Sequence, residues 1–186
     1  MRIAVPLLLL VACGGLLGGS RAEDLRAAGY DVGVAGNGWY VIEAPEGYGL
    51  SMPSIPDVRA ESFVLAGRAV SARCFDARAQ LNTMSYQALV FDARELPAEL
   101  RQGLRTGAPN GLLPTQAQRV RARTRGVGPA SVDEIVIDGL GVEGNHVGDM
   151  RVFERGGFVW ALMVVAEGTL APPSGSQVFF DSAAAP

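Results

Sequence analysis

The sequence predicts an α+β fold in which a central β-sheet lies between helices. The run Phe158–Val165 is apolar at every position, and a strand with no polar face must be covered on both sides. Leu96, Leu100 and Leu104 recur at four-residue spacing, which is the period of one helix face. A sheet with helices packed above and below it accounts for both patterns.

Strands are predicted where β-branched and aromatic residues lie between turn-forming residues. Short turns are predicted at Pro45–Gly47, at Ala66 and Gly67, and at Gly156 and Gly157, because proline and glycine supply the backbone angles that tight turns need. The predicted strands, in chain order, are Trp39–Ala44, Tyr48–Met52, Ser62–Leu65, Arg68–Phe75, Ser85–Phe91, Glu134–Asp138, Met150–Glu154 and Phe158–Val165.

Helices are predicted in three places after the first strands. Pro97 suits the first turn of the helix that carries the leucine pattern, and Thr115–Thr124 predicts a second helix. Ser174 and Gln177 have the spacing of a capping box and predict a last short helix that ends near Ser182.

The first residues of the chain have the pattern of an export signal. Arg2 is the only charge before the apolar run Ile3–Leu17, and small residues follow before the first acid, Glu23. A charged start, an apolar core and small residues near a cleavage site are typical of a secretory signal. The run is too short and too rich in glycine for a comfortable membrane-spanning helix.

Two cleavage sites remain open. Leu10-Val11-Ala12-Cys13 matches a bacterial lipobox, in which Cys13 receives a diacylglycerol and becomes the first residue of a lipoprotein. Ser20-Arg21-Ala22 places small residues at the minus-three and minus-one positions, and cleavage after Ala22 would release a soluble protein. We therefore expect a periplasmic or outer-membrane-anchored lipoprotein, or otherwise a secreted protein.

These patterns divide the chain into four parts. Residues 1–22 are the export signal, and residues 23–38 are a linker with a short helix. Residues 39–182 form a single globular α+β domain, and residues 183–186 are a tail. A domain of this size can bury about two-thirds of its surface and needs no disulfides.

Composition excludes some classes of partner. All sixteen basic residues are arginine, and the net charge of the whole chain is −3. An acidic exported domain does not hold nucleic acid through its overall field. Cys13 and Cys74 are the only cysteines, and Cys13 is either lipidated or removed with the signal, so no internal disulfide framework is expected.

Two polar clusters are candidate sites. Glu143, His146 and Asp149 lie close together in the sequence and could hold a divalent metal ion, although there is no second histidine or cysteine at zinc spacing. The ordinary alternative is a polar loop. Arg119, Arg121, Arg123 and Arg125, which we call the arginine strand positions, would share one face of a strand and could bind an anionic partner; the alternative is a solvated helix.

Two further patterns have ordinary structural explanations. Gly139, Gly141 and Gly144 match the dinucleotide-binding glycine pattern, but the sequence after them does not predict the helix whose N-terminus must meet the pyrophosphate. Cys74 alternates with Val70 and Ala72, which predicts packing in a strand and not a reactive thiol. We expect no cofactor.

Several segments resemble the PsbP/Mog-like fold family over most of Trp39–Ser182. The turn Tyr48–Pro56, the glycine-rich Gly139–Gly144, the hairpin formed by Arg151–Phe153 and Phe158–Val165, and the closing Phe179–Ser182 are similar to segments of that family. The resemblance implies an antiparallel sheet between helical layers. The best-known members of that family are non-catalytic, namely an extrinsic photosystem II subunit and a Ran-binding nuclear protein. Many of its bacterial members are exported proteins or lipoproteins.

We therefore expect a non-enzymatic envelope module that binds another protein or the envelope, that contacts the membrane only through a lipid anchor, and that binds no nucleic acid. Two alternatives remain: a small metal-dependent hydrolase that uses His146 with nearby acids, and a carrier of a small apolar ligand.

Overall fold

In the part of the chain that the structure describes, the fold is built from two antiparallel sheets, two complete short helices and the start of a further helix after Pro97. The computed structural model describes residues 22–65, 68–79, 84–99, 101, 119–127, 130–140, 146–167 and 176–183; for residues 65, 119–127, 130–140, 146–149 and 166–167 the description covers the backbone. The helices are α1 (Ala22–Ala27) and α2 (Ser176–Ser182).

The smaller sheet contains the first three strands. They are β1 (Asp31–Val34), β2 (Tyr40–Glu43) and β3 (Gly49–Met52), in the spatial order β1-β2-β3. The predicted turn at Pro45–Gly47 joins β2 to β3. Strand β1 was not predicted from the sequence, because Asp31–Val34 contains a glycine and only two apolar residues.

The larger sheet has seven strands in the order β4-β5-β6-β10-β9-β8-β7, and every neighbouring pair is antiparallel. Its strands are β4 (Asp57–Leu65), β5 (Arg68–Ala79), β6 (Met84–Asp92), β7 (Arg119–Val127), β8 (Ala130–Leu140), β9 (His146–Arg155) and β10 (Phe158–Glu167). All eight predicted strands are confirmed, although several are longer than predicted.

Strand β10 lies at the centre of this sheet, as its apolar pattern predicts. Val159, Trp160 and Leu162 are 0 % exposed. They alternate between two hydrophobic clusters on opposite sides of the sheet. Trp160 stacks on Phe153 of the neighbouring strand with ring centroids 6.0 Å apart. The prediction that Trp160 is a core residue of a central strand is confirmed.

The predicted α+β sandwich is wrong, because the described part of the chain is essentially all-β. One side of the large sheet, which we call the front face, carries Phe75 and Trp160 and is covered by the small sheet together with α2. An apolar strand needs cover on both sides, but its pattern does not say whether a helix or another sheet supplies it. Here strands supply much of that cover.

The opposite side, the back face, carries a second apolar cluster. Cys74 is buried there with Val70 and Ala72, so the packing predicted for this cysteine is confirmed. Ala93 and Leu96, which follow β6, pack against the same cluster.

Of the two helices predicted in the middle of the chain, one is wrong and the start of the other is confirmed. The helix predicted at Thr115–Thr124 is wrong, since Arg119–Val127 is strand β7. Residues 98, 99 and 101 are helical, and the Arg101 backbone N–H donates to the Pro97 carbonyl at 3.0 Å, so a helix does start after this proline. Neither Leu100 nor Leu104 is among the described residues.

Helix α2 confirms the predicted last helix, and polar contacts hold it on the front face. The Arg151 guanidinium donates to Gln177 Oε1 at 2.9 Å and to Asp181 Oδ1 at 3.3 Å, and it lies 4.5 Å from the centre of the Phe180 ring. Gln177 therefore binds β9 and Asp181, whereas its expected capping partner Ser174 lies outside the described residues. The Ser182 hydroxyl accepts the Ser51 backbone N–H at 2.8 Å.

Candidate functional site

Two of the four predicted lipidation and metal residues lie outside the described part of the chain. Cys13 and Glu143 are not among the described residues. His146 begins β9 opposite Glu167 of β10, and Asp149 lies opposite Val164. Because strand residues alternate between faces, positions 146 and 149 belong to opposite faces of β9. The metal site stays a prediction.

The arginine strand positions lie on β7, at one end of the seven-stranded order. Arg123 is in register with Glu134, and Glu134 with Arg151, so the alternate positions of β7 that carry arginine belong to the front face. Arg119 is in register with Asp138. Of the two structures considered for this segment, the strand is the one that forms, and it brings the four positions onto one face.

The front face also contains an open cleft of about 230 Å³ at the end of the sheet where β10 begins. We call it the Tyr48 cleft. Six of its residues are charged or aromatic, and the remaining lining is formed by small residues and a valine. The lining residues are Glu46, Tyr48, Ala60, Ser71, Ala72, Arg73, Val90, Asp92, Glu95 and Phe158.

Strand register brings the floor of the cleft together from distant segments. Ala60, Arg73 and Val90 are neighbours across β4, β5 and β6, and Val90 is in register with Trp160 of β10. In the next row Asp92 is in register with Phe158. The Ala93 backbone N–H donates to the Gly157 carbonyl at 2.9 Å, which fixes the chain where it leaves β6.

The β2–β3 turn supplies the wall of the cleft. Gly47 has φ +89°, a conformation that side chains other than glycine rarely adopt, and its N–H donates to the Ala44 carbonyl at 2.9 Å. This tight turn presents Glu46 and Tyr48 on either side of the glycine. The Tyr48 ring makes edge contacts with Phe158 and Trp160 at centroid distances of 4.8 and 5.4 Å, so aromatic packing fixes its position.

Arg73 is the cation of the cleft. Its guanidinium donates to Glu46 Oε1 at 3.3 Å, and the two side chains are 35 % and 40 % exposed. Burial opposes the charged form, but the nearby phenols and Glu46 outweigh it and raise the pKa of Arg73. Arg73 therefore stays charged, and Glu46 already balances its charge.

The tyrosines of this region keep their protons at neutral pH. Burial, together with the negative charge of Glu46, raises the pKa of the Tyr48 phenol well above its ordinary value. Burial likewise raises the pKa of Tyr30, although the charge of Arg73 opposes the shift. A phenol with a raised pKa donates a hydrogen bond and does not act as a base near pH 7.

Tyr30 is a buried residue whose phenol interacts electrostatically with Arg73 and Glu46. Gly29, with φ +92°, ends α1, and the Tyr30 N–H then donates to the Leu25 carbonyl at 3.0 Å. The Tyr30 side chain packs edge-on against Phe75 at 6.1 Å. Its buried hydroxyl has no hydrogen-bond partner within the described ranges, which is uncommon for a buried polar atom.

The rim of the cleft is acidic. Arg94 binds Asp92 through several hydrogen bonds, the shortest 2.6 Å, and these bonds lower the pKa of Asp92. Glu95 is exposed; the charge of Arg94 acts on it at a distance, and it forms no salt bridge with any residue that the structure describes. Three carboxylates, Glu46, Asp92 and Glu95, thus face two guanidinium groups, and one negative charge remains in excess.

Sequence reasoning did not find the Tyr48 cleft. It predicted the Pro45–Gly47 turn and the strands around it, but the lining residues come from five separate stretches between Glu46 and Phe158. Only the pairing of β4, β5, β6 and β10 makes them neighbours. The one available signal was Glu46 and Tyr48 flanking a turn glycine, and many surface turns have that composition.

The comparisons with known proteins give no assignment: no family model matches the chain, and no curated protein matches it. The resemblance to the PsbP/Mog-like family therefore stays a prediction. None of the helices in the described ranges is long and apolar enough to cross a membrane.

Proposed function

We propose that this chain is an exported bacterial envelope protein, anchored through a lipid on Cys13, whose folded part binds another protein or the envelope and catalyses no reaction. The address is supported by the apolar run Ile3–Leu17 and by the lipobox Leu10–Cys13. Several acyl chains on one lipoprotein give stable retention at a membrane, whereas a single chain holds only marginally.

The observation that carries the binding role is the chemistry of the Tyr48 cleft. Arg73 is permanently charged and paired with Glu46, and Tyr48 keeps its proton. General acid–base catalysis needs a group that can exchange a proton near the working pH, and the raised pKa values of Arg73 and Tyr48 keep both side chains protonated. Such a lining recognises a ligand by hydrogen bonds and charge.

The same lining weighs against the carrier alternative. A pocket for a small apolar ligand is mainly hydrophobic with few polar groups, whereas four of the ten lining residues of this cleft are charged. The hydrolase alternative requires His146 together with Glu143 and Asp149, and it remains a hypothesis for the experiment below.

The anchor is tested by mass spectrometry of the mature N-terminus and by membrane fractionation. We expect a mature chain that begins at a lipidated Cys13 and sediments with membranes, and a Cys13→Ser variant that loses the lipid and is no longer retained. A wild-type chain that begins unmodified at Glu23 would contradict the lipid anchor and support the rival cleavage site.

The absence of catalysis is tested with esterase, phosphatase, peptidase and glycosidase substrates, with and without divalent metal ions. We expect no turnover above background. Turnover that disappears in His146→Ala, with the fold intact by circular dichroism, would overturn the binding proposal and favour the metal-dependent hydrolase.

A further inference from the structure

We propose that the Tyr48 cleft binds a single cationic group, an ammonium or guanidinium carried on an apolar stem. This assignment rests on the proposed function in one respect, namely that the cleft binds its ligand without converting it. It names the chemical class that the cleft would recognise, whether the cation belongs to a free amine or to a basic side chain of a protein partner.

The charged side chains of the cleft favour a cation over an anion. Arg73 is matched by Glu46, and Arg94 by Asp92. Glu95 lines the cleft and interacts electrostatically with Arg94, but it forms no salt bridge in the described part of the chain. An incoming cation therefore finds a carboxylate available, whereas an incoming anion would have to displace Glu46 from Arg73 and approach two further acids.

The aromatic rings of Tyr48 and Phe158 form one wall of the cleft. Phe158 is partly exposed and lines the cleft, and its ring packs against Tyr48 with centroids 4.8 Å apart. The faces of aromatic rings attract cations that lose part of their hydration. Val90 and Ala60 add apolar contact area for an alkyl stem.

The volume of the cleft limits the size of its ligand. A volume of about 230 Å³ is below the usual range for drug-sized ligands, roughly 300–1,000 Å³. It suits one side chain or a small amine. The cleft is open to solvent on one side, so a side chain from a partner can enter while its backbone stays outside.

The experiment is a titration of the processed full chain followed by ¹H–¹⁵N NMR at constant ionic strength. The cationic probes are n-butylammonium and N-acetyl-arginine methylamide, and the matched probes are N-acetyl-citrulline methylamide, which is neutral, and N-acetyl-aspartate methylamide, which is anionic. We expect the arginine probe to bind with a Kd on the order of 1 mM and to shift the amides of Ser71, Glu95 and Phe158. The citrulline probe should bind about 5-fold more weakly or not at all.

The two sources of the cation give different patterns. Binding of both cationic probes supports recognition of any alkyl cation, and binding of the arginine probe alone supports a basic side chain of a partner. Equal binding of arginine and citrulline, tighter binding of the aspartate probe, or an absence of shifts at the cleft would each overturn the assignment. Conversion of any probe into a product would instead overturn the proposed function.

Two variants of equal charge change locate the effect. Glu95→Gln removes the available carboxylate of the cleft and should weaken binding of the arginine probe about 5-fold. Glu99→Gln removes an exposed carboxylate that does not line the cleft and should leave the affinity within about 2-fold of wild type. Equal weakening by both variants would attribute binding to overall charge and contradict a cleft-specific site.

Discussion

Two arginines on the front face of the large sheet hold very different positions. The Arg151 side chain of β9 is 10 % exposed and binds two side chains of α2 while it lies over the Phe180 ring. Arg73 of β5 is 35 % exposed and has a single carboxylate partner on a turn. The comparison indicates that a buried, multiply bonded guanidinium fixes the fold, whereas an exposed one in a cleft remains available for recognition.

Trp160→Ala tests the floor shared by both regions and should have the largest effect. Trp160 contacts Phe153 on one side and Tyr48 on the other, so its loss leaves a cavity between the two arginine sites. We expect a loss of about 3–5 kcal/mol in the free energy of unfolding, out of a total of roughly 5–15 kcal/mol. Chemical denaturation measures it, and an unchanged midpoint would mean that Trp160 is not a core residue.

Arg151→Ala tests the structural role and should have the next largest effect. The variant loses hydrogen bonds to Gln177 and Asp181 and the packing on Phe180, and we expect a cost of about 2 kcal/mol. Asp181 is largely exposed and can return to water, which limits the cost.

Arg151→Met is the matched variant for this prediction. The Nε atom of Arg151 is buried without a partner in the described part of the chain, so a methionine of similar length removes an unsatisfied polar group and keeps contact with Phe180. We expect Arg151→Met to recover at least half of the stability lost in Arg151→Ala. Equal loss in both variants would show that the polar contacts, and not packing, hold α2.

Arg73→Gln should have the smallest effect on stability and the opposite effect on binding. Its ion pair with Glu46 is at 3.3 Å and about a third or more exposed on both sides, so the variant should cost less than about 1 kcal/mol. Removal of its charge leaves Glu46 available, and affinity for N-acetyl-arginine methylamide should rise about 5-fold. A fall in affinity would show that Arg73 itself holds the ligand and would reverse the sign of the proposed recognition.

The arginines of β7 and the charged residues of the Tyr48 cleft differ in how far they can be predicted from neighbouring residues in the sequence. The alternation of arginine along β7 is visible in the sequence, and in a strand this alternation places the four residues on one face. The local sequence predicted a helix over Thr115–Thr124 instead, and that prediction is wrong because the pairing of β7 with β8 decides the structure. The Tyr48 cleft had no comparable local pattern, since its charged and aromatic residues come from separate strands.

Local sequence determined the elements that depend on neighbouring residues. Alternating and continuous apolar runs located eight strands, and the fully apolar Phe158–Val165 indicated the centre of the sheet. Glycine and proline located the turns because they change the backbone angles available at one position. The order of these elements along the chain was therefore largely predictable.

Tertiary structure alone decided what covers the sheet and which side chains meet. The apolar pattern of Trp160 and its neighbours requires cover on both faces of the sheet. Helices or strands can supply that cover, and on the front face the strands β1, β2 and β3 supply it together with α2. The Tyr48 cleft and the contacts of Arg151 depend on strand register and on the position of α2, which are set by the whole core at once. Whether each residue of a strand is buried can be predicted from the local pattern of apolar residues. Which strand or helix packs against it depends on the packing of the whole core.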